Sequence, residues 1–192
     1  MGELLGLKDY LAQNYDRSVF DEALESGQAY MLHMHGQKNI QVIVSENLVY
    51  DIKADIEGKE DIIQKIDIKF LYPARLKESV MPLLKEDKKV KDLGLEPIPR
   101  PNKRFFVKNK SLFPLMKEKE VVFFTLLEGE IIRGIITGFT RYDITVNLKG
   151  GKPVTILRHS VYDLRNKKGR CFLKHFQEQH RDWEKSPLSV SQ

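Results

Sequence analysis

The histidines and the lone cysteine are the first places to look for chemistry in this sequence of 192 residues. His33 and His35 lie two apart in "AYMLHMHG", a strand-like stretch, so they share a face and permit a common metal ion. No acid or cysteine stands at a recognisable ligand spacing from them, and packed or surface histidine is the commoner role. His175 and His180 are five apart in a helical pattern and face different ways. Cys171 follows Arg170, which favours a thiolate, yet beside Phe172 and Leu173 it reads as packing. The sequence has no phosphate-cradling glycine motif and no G-x-S-x-G. His159 falls in "TILRHSVYDL", Thr155–Leu164, and taken alone reads as a polar residue in a tight turn that caps a strand. The chemistry points to a non-enzyme with no cofactor and no metal.

Composition narrows the partners. Hydrophobic residues at 41% and charged residues at 31% are ordinary for a soluble globular protein. No run approaches the roughly 18 apolar residues of a membrane helix, and "MGELLGLKDY" is too weakly apolar for a secretory signal. A single cysteine excludes an internal disulfide and fits a reducing cytoplasm. The net charge of +5 makes a polyanion plausible as partner. That charge is concentrated: "RPNKRFFVKNK" (Arg100–Lys110) has five Lys/Arg and no acid, interleaved with Phe105 and Phe106, and "RNKKGR" (Arg165–Arg170) adds four. Solvated surface explains either stretch alone. Two of them flanking one compact segment favour a nucleic-acid surface.

The elements that would position these residues follow from periodicity. The region to about Ser26 reads as helical, with Asp16 or Ser18 as N-cap and Gly27 as stop. "AYMLHMHG", "NIQVIVS", "LVYDIKADI" and "IIQKIDIKFLY" read as strands up to Tyr72. Pro97, Pro99 and Pro101 alternate in a charged stretch and predict an extended linker. "SLFPLMKEKE" is a short helix with Ser111 as N-cap. Five strands follow: "VVFFTLL", expected to be buried on both faces, then "EIIRGIITGFT", "YDITVNL", "PVTILR" and "SVYDLR". Gly134 and Gly138 share a face of the second and mark a bend or a close backbone approach. "FLKHFQEQHRDWEK" predicts an amphipathic tail helix.

The two halves echo each other. "SENLVYDIKADIEGKEDI" aligns with "LEGEIIRGIITGFTRYDI" at an offset of 82 (144 − 62), and "ARLKESVMPL" (Ala74–Leu83) with "TILRHSVYDL" at 81 (157 − 76). On that alignment Glu60 corresponds to Tyr142, Lys77 to Arg158 and Glu78 to His159. The expected organisation is residues 1–84 as a divergent first domain, 85–109 as linker, 110–170 as second domain, and 171–192 as C-terminal helix and tail.

The second half resembles the bacterial RNA chaperone Hfq, of the Sm-like family, over about Lys110–Leu164. Gly129 and Gly134 match the family's turn glycine and the glycine five residues on. "GFTRY" (Gly138–Tyr142) stands where the family has S-F-D-Q-F, and "LRHSVY" (Leu157–Tyr162) where it has Y-K-H-A-I-S. The resemblance implies a mainly β fold with short helices: two tandem Sm-like small open β-barrels, each a helix and five bent antiparallel strands. It implies binding of single-stranded, uridine-rich RNA in a ring, as RNA chaperone or post-transcriptional regulator. The ring would be a homo-oligomer, a trimer of tandem repeats or a hexamer of second domains. Tyr142 falls at the stacking aromatic, and Arg158 and His159 at the Lys-His pair. Arg141 replaces a Gln, and Lys117 and Lys119 stand in a weakened basic rim. Thr125 replaces the tyrosine of the purine-binding face, so that activity is not expected. The chemistry agrees: an aromatic ring stacks on a base for about 1–3 kcal/mol, Arg offers a fixed fork of donors, and a neutral imidazole both donates and accepts. An Sm-like scaffold that has lost RNA binding is the competing expectation, favoured by Glu60 and Glu78 in the first half.

Overall fold

A computed structural model describes residues 4–173. The tail-helix expectation, with His175 and His180, lies outside the described residues.

Two helices open the chain, α1 (Leu7–Asn14) and α2 (Val19–Ser26). Ser18 caps α2 by accepting the Phe20 amide at 3.2 Å, and Gly27 ends it in the left-handed conformation, as the sequence predicts. Five antiparallel strands follow: β1 (Ala29–Met34), β2 (Lys38–Asn47), β3 (Asp51–Ile56), β4 (Lys59–Gln64) and β5 (Ile68–Pro73). A single 3-10 turn, Lys65–Asp67, links the last two. Short helical turns over Ala74–Leu83 include α3 (Lys77–Val80).

The expected linker starts with structure of its own. Strand β6 (Lys85–Glu86) pairs with the second half, and α4 (Lys88–Lys91) is capped by Asp87, which accepts the Lys89 amide at 3.0 Å. The proline run is irregular until Pro101, which opens the 3-10 turn Pro101–Lys103, and Arg104 ties it down by donating to the carbonyls of Ile98 (2.7 Å) and Pro99 (2.9 Å). Helix α5 (Asn109–Lys117) starts two residues before the expected cap: its N-cap is Lys108, and Pro114 lies inside it. Then come β7 (Val121–Leu126), β8 (Glu130–Phe139), β9 (Asp143–Leu148), β10 (Lys152–Leu157), the 3-10 turn Arg158–Ser160, and β11 (Val161–Asn166).

The described residues are thus mainly β with short helices, and their eleven strands form one antiparallel sheet, ten of them in the order β11-β7-β8-β9-β10-β5-β1-β2-β3-β4 with β6 off this path on β8; the sheet does not close. Within it each half has the same order, fifth-first-second-third-fourth. The halves join where β10 pairs with β5, through Thr155↔Leu71 and Ile156↔Phe70. Flanked on both sides, β5 is buried from Ile68 to Tyr72.

A repeat is therefore present, but its register differs from the sequence alignment. Corresponding strands start 92 residues apart in the first three pairs (121 − 29) and 93 in the last two (152 − 59). The partner of Tyr142 is Tyr50, not Glu60, and the partners of Arg158 and His159 are Lys65 and Ile66, not Lys77 and Glu78. "ARLKESVMPL" spans helical turns after β5 and matches no strand of the second half. The two registers differ by ten residues in the first alignment (92 − 82) and twelve in the second (93 − 81), both even, so the in–out alternation of the strands agrees equally well in both.

Gly134 shows what bends β8. A Cβ there would lie 2.3 Å from the Asn147 carbonyl oxygen and 2.6 Å from Val146. The strand can therefore fold over β9 only with glycine at this point. At Gly138 the nearest atom is the Tyr10 hydroxyl at an ordinary 3.6 Å, so the close approach belongs to one of the two glycines. Two cores result. One gathers Phe124, Ile132 and Val146 with Leu112 and Phe113 of α5, and reaches across the join to Phe70 and Tyr72. The other packs Phe20 and Ala23 of α2 on Leu32, Val44 and Ile52.

Candidate nucleic-acid interface

Arg141 and Tyr142 occupy the turn between β8 and β9, which Thr140 shapes by accepting the amides of Tyr142 (3.0 Å) and Asp143 (3.1 Å). Tyr142 is 53% exposed and free to stack. Arg141 is held by the loop between α1 and α2: its amide donates to the Tyr15 carbonyl at 2.8 Å. Its guanidinium lies 4.9 Å from the Tyr15 ring centre and 3.3 Å from the Asp16 carboxylate.

Arg158 lies beneath this turn. Its amide donates to the Tyr142 carbonyl at 2.8 Å, which brings the two residues together as expected. Its side chain turns inward. The guanidinium donates to Asn109 Oδ1 (2.9 Å) and the Val107 carbonyl (3.4 Å) and lies over the Phe139 ring. Burial pushes its pKa down to about 10, so this cation is spent on packing helix α5 and the linker against the sheet. Tyr10 of α1 closes the same corner, with its hydroxyl accepting the Phe139 amide (2.7 Å) and donating to the Phe139 carbonyl (3.0 Å).

His159 points elsewhere. Its Nε2 donates to the Ile68 carbonyl at 2.8 Å, and the neighbouring Ser160 hydroxyl donates to the Lys69 carbonyl at 2.8 Å. Both residues clasp β5 at the join between the halves, and burial pushes the imidazole down to about 4, keeping it neutral. The structure therefore separates His159 from Tyr142. The capping role that the sequence offered as the plain alternative is the one its contacts describe.

The join holds a polar cluster that the sequence did not signal. Lys69, 1% exposed, pairs with both Glu128 and Glu130. Glu128 also accepts the amides of Gly36 (2.6 Å) and Gln37 (3.3 Å) and faces His35 at 3.5 Å. His33 stacks on Phe70 at 4.1 Å and meets the Tyr72 hydroxyl at 3.0 Å. The expectation that the two histidines share a strand face is corrected: His33 lies in β1, while His35 opens the 3-10 turn His35–Gln37 that follows it, and the described residues contain no group of three metal-ligating side chains.

The remaining expected residues lead to a different surface. Lys117, exposed at the end of α5, stands 5.6 Å from the Phe113 ring centre. Lys119 is on the rim of a groove of about 1490 Å³ on the outer face of the second half. Phe123, Ile131, Ile135 and Leu148 line its floor, and Lys85, Lys119, Arg133, Lys149 and Lys167 surround it. Glu86 is the one acid among the lining residues and is paired with Lys91 at 2.7 Å. The Arg133 guanidinium lies 5.5 Å from the Phe123 ring centre, a planar cation beside a half-buried aromatic. The expectation that "VVFFTLL" is buried on both faces is corrected here: Val121 and Phe123 are only partly covered where they line the groove, while Thr125 on the same face is buried. An apolar strand followed by isolated cations at Arg133, Lys149 and Lys167 is the signal that could have found it.

Comparison of the chain with protein-family models, curated proteins and solved structures gives no match. No helix among the described residues is long and apolar enough to cross a membrane.

Proposed function

We propose that the chain is a single-stranded RNA-binding protein of the Hfq/Sm-like kind. On this reading it is two tandem Sm-like barrels joined edge to edge, works in the cytoplasm by binding rather than catalysis, and serves as RNA chaperone or post-transcriptional regulator. The observation that carries the reading is the groove, where five cations surround an apolar floor and the single acid is already neutralised. Phosphates meet Lys85, Lys119, Arg133, Lys149 and Lys167, while bases stack on Phe123, and the exposed ring of Tyr142 offers a second stacking point outside the groove. The shared strand order of the halves, each preceded by a short helix, supports the tandem-barrel part. The β10–β5 join supports assembly, because it already pairs a fourth strand with a fifth, and the same kinds of edge recur at the two ends of the sheet.

Fluorescence anisotropy with an oligo-uridine probe tests this. The triple variant Arg133→Ala/Lys149→Ala/Lys167→Ala should weaken binding at least tenfold. It should also flatten the logarithmic salt dependence by about 2, at roughly 0.7 per lost single-strand phosphate contact. Equal affinity of wild type and triple variant would sink the groove, and no binding at all would sink the RNA reading. A scaffold without RNA binding is the second reading. It is favoured by the internal engagement of Arg158 and His159.

A further inference from the structure

The two ends of the sheet differ in a way the repeat makes measurable. At the internal join β5 offers its outer edge to β10, with Leu71 opposite Thr155 and Phe70 opposite Ile156. Carrying that register forward by 93 residues places Leu164 and Asp163 of β11 at the same points of the second half. The equivalents of Thr155 and Ile156 are Ile62 and Ile63 of β4. Among the described residues strand β4 ends the sheet, pairs with β3 alone, and holds Ile62 59% exposed. At β11 the corresponding edge is already taken by the chain itself. The Phe172 amide donates to the Leu164 carbonyl at 3.0 Å, the Asn166 amide donates to the Arg170 carbonyl at 3.2 Å, and Arg165 bridges Cys171. Leu173 anchors the segment, buried in the core beside Val107.

We infer that Arg170–Leu173 is a cap on an assembly edge, and that β11 takes β4 of a second copy when the cap is displaced. An unpaired strand edge is a template for another strand, and natural sheets cover such edges. The partner is a second copy because β4 already has the register that β10 uses at the internal join. Pairing Ile62 of one copy with Leu164 of another sets Asp61 opposite Arg165, Glu60 opposite Asn166 and Lys59 opposite Lys167. The contact is heterologous, fourth strand to fifth, so it propagates from copy to copy and can close a ring. It is also weaker than the internal join. There His159 and Ser160 each donate to a β5 carbonyl, whereas in the contact between copies their equivalents would be Ile66, whose side chain has no donor, and Asp67, a carboxylate that cannot donate to the Tyr162 carbonyl. A weak contact behind a short cap makes a reversible switch between separate and assembled chains.

This inference rests on the reading of the chain as an assembling tandem, and its test is kept apart from RNA binding. Native mass spectrometry and sedimentation velocity are run on the full chain, on Phe172→Pro, which removes the amide donated to Leu164, and on Leu173→Asp, which ejects the anchor. The full chain should be a monomer at concentrations where either variant at least doubles in mass. Adding Ile62→Asp in β4 should return both to monomer. A full chain that already has the mass of the variants overturns the cap. So do two folded variants that stay monomeric, or assemblies that Ile62→Asp leaves intact. Anisotropy with oligo-uridine on the same samples separates the two questions: RNA binding without assembly leaves the functional reading standing and removes the cap.

Discussion

Acidification should loosen the join between the halves, and the effect can be sized from two imidazoles. Burial pushes His33 and His159 down to about 4, with Lys69 adding to the shift at His33 and a hydrogen bond to Ile68 partly opposing it at His159. Burial lowers His35 as well. In the unfolded chain an imidazole titrates near 6.5. Between these values the unfolded state binds protons that the native state refuses, so stability is full above about pH 6.5 and falls as pH drops toward 4. At pH 5 the loss is about 2 kcal/mol for each of the two residues and about 4 together, a large part of the roughly 5–15 kcal/mol that holds a domain. Glu128 adds to the loss further down: burial raises its carboxyl, but Lys69 and the Gly36 amide outweigh that and hold it below its ordinary value. Asp143, raised by burial, works in the opposite direction. Urea titrations followed by circular dichroism at pH 7.5 and pH 5 measure the difference. The double variant His33→Gln/His159→Gln should flatten most of the pH dependence, whatever stability it loses at pH 7.5. Equal stability at the two pH values would refute the reasoning, as would a double variant that keeps the full difference.

Two further substitutions probe the frame that positions the groove. Gly134→Ala puts a Cβ 2.3 Å from the Asn147 carbonyl, so strands β8 and β9 must part. A cost of about 1–3 kcal/mol follows, seen in a thermal melt as a fall of several degrees; an unchanged midpoint would mean the bend is not held by this contact. Lys69→Met leaves Glu128 and Glu130 without their shared cation and should destabilise by about 3–5 kcal/mol. Most of that should return in the triple variant with Glu128→Gln and Glu130→Gln, and a single variant as stable as wild type would argue against the network.

Much of the local structure was legible in the residues. Ser18 and Gly27 bracket α2 because an oxygen near the free amides and a residue tolerant of positive φ are local requirements. Most of the longer strands follow from β-branched and aromatic runs broken by turn residues, although "IIQKIDIKFLY" reads as one strand and holds the end of β4, a 3-10 turn and β5; Gly134 announced a close backbone contact. The repeat was legible too, but its register was not. Leu, Val and Ser at matching spacings in "ARLKESVMPL" and "TILRHSVYDL" fit helical turns in one place and a strand with its turn in the other. Periodicity cannot distinguish two registers that differ by an even number of residues.

The candidate site divides along the same line. The resemblance, not spacing, put Tyr142 and Arg158 in one neighbourhood, and the pairing of β9 with β10 brings them together through the bond from the Arg158 amide to the Tyr142 carbonyl. Which way each side chain points was decided by contacts between elements far apart in the chain. Arg158 turns to Asn109, His159 to Ile68, 91 positions earlier, and Arg141 to Tyr15 of the loop before α2. The groove around Phe123 and the pairing of Lys69 with Glu128 and Glu130 likewise come from elements distant in sequence. So does the cover on β11. The sequence by itself determined strands, caps, charge and the existence of a repeat, since these depend on neighbours within a turn or two. The tertiary structure decided which cations face solvent, which histidines are buried, and which sheet edge is closed, because burial and edge pairing exist only once the two halves meet.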